Sequence, residues 1–568
     1  MEVFMGIKSI SDDDPRFRTL VRGFNQRWPA EKTDSPEKIY IAKSAGEAKE
    51  ALQSAFSLGL RPTIRSGGHC YEDFVSNNPG GAIIDVGLMA GIEKDPKIDP
   101  APEKPRSYRY RVWAGSQNWD GAVALYKLDN KCLPGGSCYS VGAGGHISGG
   151  GYGLLSRMHG LTVDWLAGVD ILVADKKDGK GKPIVRLVHA NKDQNADLFK
   201  ACRGAGGGSY GLITAFYFDD LPEPPRHVAL LMLQFPWKQF VADPKDPKTR
   251  EKDAEKFLGF LNKYAAYFKT SDKNPASYGL FSFLKITPYV AGNIALTVQY
   301  CDDSGRLKDT EQLEKFINDM TNGYESGHLD DAMPTAQIPF IWPDQDERLA
   351  NLRKGSVVLD WLYATQSLNG SGNNQRGKYK SSYMKDLFTI DEAKALLEHL
   401  VYNEAAQKDP DFVQSRISID SYGGAINHKY KGNPHFDPAA NQTSVSQRSS
   451  ILKLQYQTYW MDPNNDQKHL DWMRNLYTAV HQKDGLNGTP YPGARYEGCY
   501  INYPDIDMLN GEKPGATDAQ GNPYDWGTLY YGKALFSELK TTKGKYDPYN
   551  LFHHAMSIPL DGARGGKG

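Results

Sequence analysis

The sequence predicts an α+β chain of two domains, the second built on an antiparallel sheet backed by helices. The chain has 568 residues, more than one hydrophobic core usually organises. Short strand and helix patterns alternate up to residue 220, and longer strand-like runs follow. The proline-rich segment 221–226 separates these two regions. We therefore predict domains over 1–222 and 223–490, and a C-terminal segment over 491–568 that returns to the first domain.

The first domain opens with a strand, a helix and two further strands. Residues 36–43 contain a short apolar strand, and the spacing of apolar residues over 45–56 predicts a helix. Glycine turns follow, and a β-α-β opening of this kind commonly presents backbone N–H groups to phosphate. The remaining predicted elements are strands at 62–65, 81–86, 168–175 and 211–218 and a helix at 196–203.

The second domain has a different pattern. Strand-like alternation marks residues 228–235, 294–300 and 451–460, whereas helical spacing marks 253–269 and 391–405. This mixture predicts an antiparallel sheet with helices packed against it.

The composition argues against several classes of protein. A formal net charge of -1 gives no electrostatic basis for binding nucleic acid or an anionic membrane. No run approaches about 18 apolar residues, so we expect no transmembrane helix. The N-terminus lacks a basic start followed by a long apolar run, which favours a cytoplasmic protein, with secretion by an unseen signal as the alternative. Neither C-x-x-C nor H-E-x-x-H occurs, so no metal centre is expected.

Two glycine-dense segments hold the candidate chemistry. Residues 65–69 read Arg-Ser-Gly-Gly-His, and residues 142–153 read Gly-Ala-Gly-Gly-His-Ile-Ser-Gly-Gly-Gly-Tyr-Gly. Glycine lets the backbone approach a pyrophosphate closely and adopt positive φ, so both segments suit a large anionic cofactor. His69 and Cys138 place one imidazole and one thiol beside that cofactor. The plainer interpretation is two tight turns with a structural histidine and cysteine.

Three neighbouring features complicate this interpretation. Cys70 and Cys132 compete with Cys138, because composition alone does not separate them. Residues 206–211 match G-x-G-x-x-G, but a helix-like segment precedes them and a strand-like segment follows. That order is the reverse of a Rossmann unit, so we reject a nicotinamide-type dinucleotide fold.

Taken together, the motifs resemble a known family. The chain is similar to the berberine-bridge-enzyme-like branch of the vanillyl-alcohol-oxidase flavoproteins, in the family's order and over nearly the whole chain. The matching segments are 65–69, 136–138, 141–153, 160–164, 197–199, 203–211, 500–505 and 547–552. Within that branch the likeness is to hexose oxidases, in segments 23–28, 66–75, 133–141, 368–372, 374–380 and 453–460.

The resemblance implies a two-domain flavoprotein oxidase. Its FAD-binding domain has two α/β subdomains, and its substrate domain contains the antiparallel sheet. FAD is then attached twice, through His69 to the 8α-methyl group and through Cys138, reacting as a thiolate in an electropositive, amide-rich loop, to C6. Two anchors orient the ring and raise its reduction potential. The other implied cofactor-binding residues are Arg65, Ser66, Gly67, Gly68, Gly142, Gly144, Gly145, His146, Gly150, Gly153, Asn502, Tyr503 and, towards the adenine, Val169 and Ile171.

The catalytic base implied by the family is a tyrosine of the Tyr-Ile-Asn-Tyr segment. We predict Tyr500, with Tyr503 closer to the flavin and Tyr152 above it. On an extended segment, Tyr500 and Asn502 would share one face and Tyr503 the other, unless a bulge intervenes. Free tyrosine has a pKa of about 10, so hydrogen-bond donors or positive charge must favour the phenolate. The plainer interpretation of each tyrosine is an aromatic core position.

Polar and aromatic side chains of the second domain are the candidate substrate ligands. Lys453 and Arg376 are cations that would favour the phenolate, and amides would hydrogen-bond sugar hydroxyls. Tyr363 offers a flat face for stacking on a pyranose ring. The plainer interpretation of the strand glutamines is that they face solvent. The amide candidates are Asn369, Gln375, Gln455 and Gln457.

The implied reaction is oxidation of a carbohydrate. Tyr500 removes the C1 hydroxyl proton while hydride passes from C1 to flavin N5, giving a lactone, and O2 is reduced to H2O2. One alternative is an FAD-dependent alcohol oxidase acting on a glycosylated natural product. The other is a non-catalytic carbohydrate-binding protein that kept the fold. The expected partners are a small carbohydrate and O2, in a monomer or homodimer.

Overall fold

The structure, a computed structural model, describes residues 7–98, 106–328, 356–368, 374–509, 517, 521 and 523–562. Three β-sheets organise these residues, two of them before residue 219 and the third between 227 and 460. Helices pack on the sheets, so the predicted two-domain α+β class is confirmed. The domain boundaries at 222/223 and 490/491 stay a prediction.

The first sheet consists of β1 (Ser9–Ile10), β2 (Lys38–Ile41), β3 (Arg61–Arg65) and β4 (Gly81–Asp85), in the order β1-β2-β4-β3. Strands β2, β4 and β3 are parallel. The short helix α1 (Phe17–Leu20) lies between β1 and β2, and α2 (Ala45–Ser57) joins β2 to β3. The Ser44 side chain accepts the Glu47 N–H at the start of α2, which supplies an N-cap. The predicted β-α-β opening is therefore confirmed, and residues 66–69 leave it at the carboxyl end of β3.

The second sheet is antiparallel and has the order β5-β6-β9-β7-β8, with β5 (Ile92–Lys94), β6 (Tyr110–Trp113), β7 (Leu166–Lys177), β8 (Pro183–Asn191) and β9 (Leu212–Phe218). The connection from β6 to β7 contains the glycine-rich residues 142–153. Its helices are α3 (Asn118–Asp129), α4 (Ala143–Ser148), α5 (Ser156–His159) and α6 (Thr162–Trp165), and α7 (Ala196–Ala201) joins β8 to β9.

The third sheet is antiparallel, with the order β13-β10-β12-β11-β16-β17-β15, and β14 also pairs with β10. Its strands are β10 (His227–Pro236), β11 (Leu280–Ile286), β12 (Asn293–Tyr300), β13 (Gly327–His328), β14 (Ser356–Asp360), β15 (Arg376–Met384), β16 (Arg416–Ser421) and β17 (Leu452–Trp460). The predicted strands at 228–235, 294–300 and 451–460 are confirmed. The helices that accompany it are α8 (Arg250–Ser271), α9 (Glu311–Thr321), α10 (Trp361–Ser367), α11 (Ile390–Leu397), α12 (Glu404–Lys408) and α13 (Asp466–His481).

The two faces of the third sheet differ in character because side chains alternate along each strand. One face is apolar and covered by helices, where Tyr264 of α8 donates its hydroxyl to the Ile419 carbonyl at 2.8 Å. On the other face Asp420 stands opposite both Phe283 and Lys453 in the strand register. We call this second face the polar face; its residues include Lys285, Arg416, Ser418, Asp420, Lys453, Gln455 and Gln457.

The C-terminal helices α14 (Trp526–Tyr531) and α15 (Lys533–Tyr546) return to the N-terminal half of the chain. Helix α15 packs on α7 and β7. Lys543, which is fully buried, donates to the Ser209 carbonyl at 2.6 Å and pairs with Asp547 at 2.6 Å. These contacts hold residues 206–211 against the end of the chain. No described helix is long and apolar enough to cross a membrane.

Candidate active site

A long cavity runs between the first two sheets, and three glycine-dense loops line it: 66–68, 142–145 and 206–208. The first two loops touch, because a Cβ at Gly67 would lie 2.3 Å from the Gly142 backbone nitrogen. Only glycine permits that approach of two backbones. A Cβ at Gly145 would meet nothing within 4 Å. The loops therefore present backbone rather than side chains to the cavity, as a dinucleotide pyrophosphate requires.

Residues Arg65 and Ser66 fasten the first loop to its surroundings. Arg65 pairs with Asp85 at 2.7 Å, and the Ser66 hydroxyl donates to the Ala114 carbonyl at 2.6 Å. Both residues line the cavity. Arg65 is fixed within the first sheet, whereas Ser66 joins the loop to Ala114, which follows β6 of the second sheet. The loop that carries His69 is thus held at both sheets.

His69 lies in the cavity wall, with its imidazole stacked on Phe24 at 4.5 Å between ring centroids. Its Nε2 is 2.8 Å from the Ser140 hydroxyl, so it contacts the loop that carries Cys138. Burial lowers the pKa of His69 to about 4. The imidazole is therefore neutral near pH 7 and keeps a lone pair on one ring nitrogen.

Cys138 lines the same cavity, but its thiol differs from the expected thiolate. Burial raises the pKa of Cys138, and the charge of Arg416, from the polar face, is what opposes the rise. The expectation of an activating electropositive loop is corrected here. Desolvation determines the direction of the shift, and the cation that opposes it comes from β16 of the third sheet.

The tyrosines gather at one region of this cavity. Tyr500 and Tyr503 have ring centroids 5.1 Å apart, because the segment turns and Tyr503 N–H donates to the Tyr500 carbonyl at 2.9 Å. The segment is therefore not extended, and the arrangement with Tyr503 on the opposite face, expected only where no bulge intervenes, does not apply. Tyr152 also lines the cavity. Lys453 lies beside all three rings, with Nζ at 4.4 Å from the centroid of Tyr152, 5.7 Å from Tyr500 and 5.0 Å from Tyr503.

The hydroxyl of Tyr500 has a defined hydrogen-bond donor. The Asn502 side-chain amide donates to it at 2.9 Å and also to the His146 carbonyl at 2.9 Å. Burial nevertheless raises the pKa of Tyr500 to about 12, although the Asn502 hydrogen bond acts in the opposite direction. Tyr500 is therefore a phenol at neutral pH, and its phenolate would be a strong base.

The amides of the polar face form a chain of hydrogen bonds leading away from the tyrosines. Asp420 pairs with Lys453 at 2.7 Å and accepts the Gln455 amide. Gln457 Nε2 donates to Gln455 Oε1 at 2.9 Å, and Arg416 Nε donates to Gln457 Oε1 at 2.7 Å. The predicted ligands Lys453, Gln455 and Gln457 thus lie on one surface beside Tyr500.

Three other predicted substrate ligands, Gln375, Arg376 and Tyr363, are not brought to this surface. Gln375 is buried against Gln414 at 2.9 Å, and Arg376 is held by a bidentate ion pair with Asp466. Tyr363 lies on α10, which packs on β10 and α3, and it does not line the cavity. Asn369 lies outside the described residues.

Three predicted cofactor residues are not in the cavity lining either. Val169 is fully buried in β7, whereas Ile171 does line the cavity. Gly150 has a φ of 126°, a conformation that favours glycine. A Cβ at Gly153 would lie 1.7 Å from the Gly135 carbonyl oxygen, so both glycines serve the folding of their loop.

The segment 206–208 is a cavity element that sequence reasoning undervalued. Its G-x-G-x-x-G match fails the Rossmann order, and yet Gly206, Gly207 and Gly208 line the cavity beside Phe552 and His554. A nicotinamide-type fold is still rejected, because helix α7 precedes this segment and strand β9 follows it, the reverse of the order in a Rossmann unit. The sequence feature that could have identified this segment as part of the cavity is that it is the third glycine-dense stretch in the chain.

These residues fit FAD. The cavity is long, its three loops expose backbone, and it contains a neutral imidazole and a thiol together with a buried tyrosine cluster. The described residues contain no group of three or more His, Cys, Asp or Glu side chains that could hold a metal ion. The loops at 66–69, 142–146 and 206–209 would hold the cofactor.

Comparison with known proteins gives the same assignment. The family described as "FAD binding domain" matches residues 36–177, and the family "Berberine and berberine like" matches residues 499–559. Hexose oxidase from Chondrus crispus is 32% identical over 564 residues, which cover 96% of this chain and 94% of that protein. Aclacinomycin-N/aclacinomycin-A oxidase from Streptomyces galilaeus is 28% identical, covering 96% and 88%. The crystal structure of a glycopeptide hexose oxidase complexed with teicoplanin has a TM-score of 0.76 and 28% identity, covering 97% of this chain and 98% of that one.

The fold, the cavity and these matches define an FAD-dependent oxidoreductase that acts on CH–OH donors. The interpretation as a non-catalytic binding protein is therefore dropped. The chain belongs to the berberine-bridge-enzyme-like family of FAD-linked oxidases. Hexose oxidase is one of the relatives to which it is similar.

Proposed function

We propose that this enzyme is a carbohydrate oxidase that converts the C1 hemiacetal of a hexose or oligosaccharide into a lactone, with reduction of O2 to H2O2. The observation that carries the proposal is the polar face beside Tyr500. It offers a continuous row of hydrogen-bonding side chains, Arg416, Gln457, Gln455 and Asp420, where a sugar with many hydroxyls has matching partners. The name of the 32% identical relative, hexose oxidase, supports the same substrate class.

In the proposed reaction, the phenolate form of Tyr500, a minor species at neutral pH, accepts the proton of the C1 hydroxyl and becomes the phenol. The Asn502 amide, 2.9 Å from the phenol oxygen, stabilises the phenolate. Lys453, paired with Asp420, lies 5.7 Å from the centroid of the ring. FAD, when bound, supplies the chemistry of hydride acceptance and of electron transfer to O2. Tyr500 is 5% exposed, so water is largely excluded from the position where the proton moves.

A peroxide-coupled screen of mono- and oligosaccharides tests the proposal. We expect H2O2 in stoichiometric amounts with an aldonic acid, the hydrolysis product of the lactone, and no peroxide from 1-deoxy or 1-O-methyl sugars. Oxidation of the 1-O-methyl glycosides at an unchanged rate would mean that another hydroxyl reacts.

That outcome would favour the second candidate, an alcohol oxidase acting on a glycosylated natural product. Its support is the 28% identical glycopeptide hexose oxidase that was crystallised with teicoplanin. Rates on free sugars and on a glycopeptide, compared at equal concentration, separate the two.

We further propose that FAD is bound through both His69 and Cys138. Support comes from the neutral His69 imidazole, its 2.8 Å contact with Ser140 in the Cys138 loop, and the presence of both side chains in one cavity wall. Either His69→Ala or Cys138→Ala should leave flavin on the denatured protein through the remaining bond, whereas the double variant should release it. Peptide mass mapping of the denatured variants measures this, and a colourless denatured wild-type protein would contradict it. Cys202→Ala, a second thiol in the cavity wall, is the matched control and should keep both bonds.

A further inference from the structure

The polar face carries more positive charge than its own carboxylates neutralise. Lys285 on β11, Arg416 on β16 and Lys453 on β17 accompany one carboxylate, Asp420, in the central strands. Lys453 and Asp420 pair at 2.7 Å and neutralise each other. Lys285 stands opposite Ser418, two residues along β16 from Arg416, so these two cations are diagonal neighbours.

Neither Lys285 nor Arg416 has a carboxylate partner among the residues that the structure describes. Arg416 donates to the neutral Gln457 amide, and the Lys285 ammonium lies 4.7 Å from the Phe283 ring centroid. Both side chains are only partly exposed. They therefore lose hydration without a described carboxylate at ion-pair distance, and the charge of Asp420 acts on Lys285 only from farther away.

The lack of a carboxylate partner at Lys285 and Arg416 contrasts with the pairing of four other buried lysines in the described part of the chain. Lys378, Lys380, Lys453 and Lys543 are at most 1% exposed, and each contacts a carboxylate. Charges removed from water are normally paired in this way. Burial, together with the charge of Arg416, lowers the pKa of Lys285 to about 8, so the site disfavours a second cation and favours an anion.

We infer that Lys285 and Arg416 form an anion subsite that binds the carboxylate or sulfate ester of an acidic sugar while its reducing end lies at Tyr500. This inference rests on the proposed carbohydrate oxidation. Four residues separate Asp420 from Arg416, about 13 Å along an extended strand. The anionic group therefore belongs at the end of the substrate remote from C1. A guanidinium binds such oxoanions through two parallel hydrogen bonds.

Matched substrate pairs test the subsite. An acidic disaccharide with glucuronate as its non-reducing unit, compared with its methyl ester, varies only the charge at the distance of a second sugar unit. A disaccharide with a sulfate ester on its non-reducing unit, compared with the unsulfated disaccharide, provides the sulfate arm. We expect kcat/KM for the acid to exceed that for its neutral partner by about ten- to hundredfold, mainly through KM. The substrate pair, carboxylate or sulfate, with the larger ratio of acidic to neutral kcat/KM identifies which anionic group the subsite prefers.

Lys285→Met should reduce that ratio about tenfold or more, while changing kcat/KM for the neutral sugar much less. Arg416→Met should reduce the ratio by a similar factor and should also lower kcat/KM for the neutral sugar, because Arg416 belongs to the row of side chains proposed to bind sugar hydroxyls. Lys431→Met, at an exposed lysine paired with Asp303, is the matched control and should keep the wild-type ratio. Flavin content is measured in each variant, because Arg416 also acts on Cys138. A lower ratio at unchanged flavin content is the expected result.

Equal kcat/KM for acidic and neutral sugars would overturn the subsite and leave carbohydrate oxidation standing. If no sugar is oxidised, the proposed carbohydrate oxidation is rejected, and the subsite is then tested by the binding of acidic sugars alone. The acidic disaccharide should then change the flavin absorbance of the wild-type holoenzyme at concentrations where its methyl ester does not, and this response should disappear in Arg416→Met. Absence of the response in the wild type overturns the subsite.

Discussion

Replacing Tyr500 by phenylalanine is expected to lower kcat for sugar oxidation by about 10²–10⁴-fold, the range that a positioned general base contributes. The variant removes the oxygen that accepts the Asn502 amide at 2.9 Å and keeps the ring between Tyr503 and Tyr383. Steady-state kinetics measure the loss, and the flavin spectrum and sugar dissociation constant should stay close to wild type. Tyr530→Phe removes a buried hydroxyl with no hydrogen-bond partner among the described residues and serves as the control.

The pH dependence gives this prediction a second measurement. Because burial raises the pKa of Tyr500 to about 12, the phenolate is a minor species at neutral pH and increases as pH rises. Wild-type kcat/KM should therefore rise from neutral to alkaline pH, and the rise should be lost in Tyr500→Phe. A variant with full turnover and an unchanged pH profile would assign the proton transfer to another group.

The fold was predictable where a pattern repeats. The apolar spacing of α2 and the alternation of β17 depend on neighbours within a few residues, and periodicity captures that range. The alternation also assigns Lys453, Gln455 and Gln457 to one face, because residues two apart on a strand point the same way.

The site was less predictable where partners lie far apart in the chain. Arg376 is a polar residue at the start of a strand, and only the fold reveals Asp466, 90 residues later, as its partner. The same holds for Cys138, whose opposing charge, Arg416, comes from the third sheet. The turn that brings Tyr500 and Tyr503 together depends on one backbone hydrogen bond that alternation does not foresee.

Lys378 joins the two segments that carry the candidate chemistry. It contacts Glu72, three residues after His69, and Asp505 at 2.7 Å, two residues after Tyr503. Lys380 contacts the other Asp505 oxygen at 2.6 Å. These carboxylates hold the pKa of Lys378 well above its ordinary value, so it is a buried cation.

Lys378→Met should therefore destabilise the holoenzyme by about 3–5 kcal/mol, because it leaves buried carboxylates with too little positive charge. Denaturant unfolding should shift to lower concentration, and flavin attachment at His69 should become incomplete, since the loop at 69–72 loses its tie to Asp505. Adding Glu72→Gln removes one unpaired carboxylate and should recover part of the stability but not the attachment. Recovery of stability without recovery of flavin attachment would distinguish misplacement of the loop at 69–72 from a general loss of folding. Wild-type unfolding of the single variant would show instead that Lys380 alone neutralises Asp505.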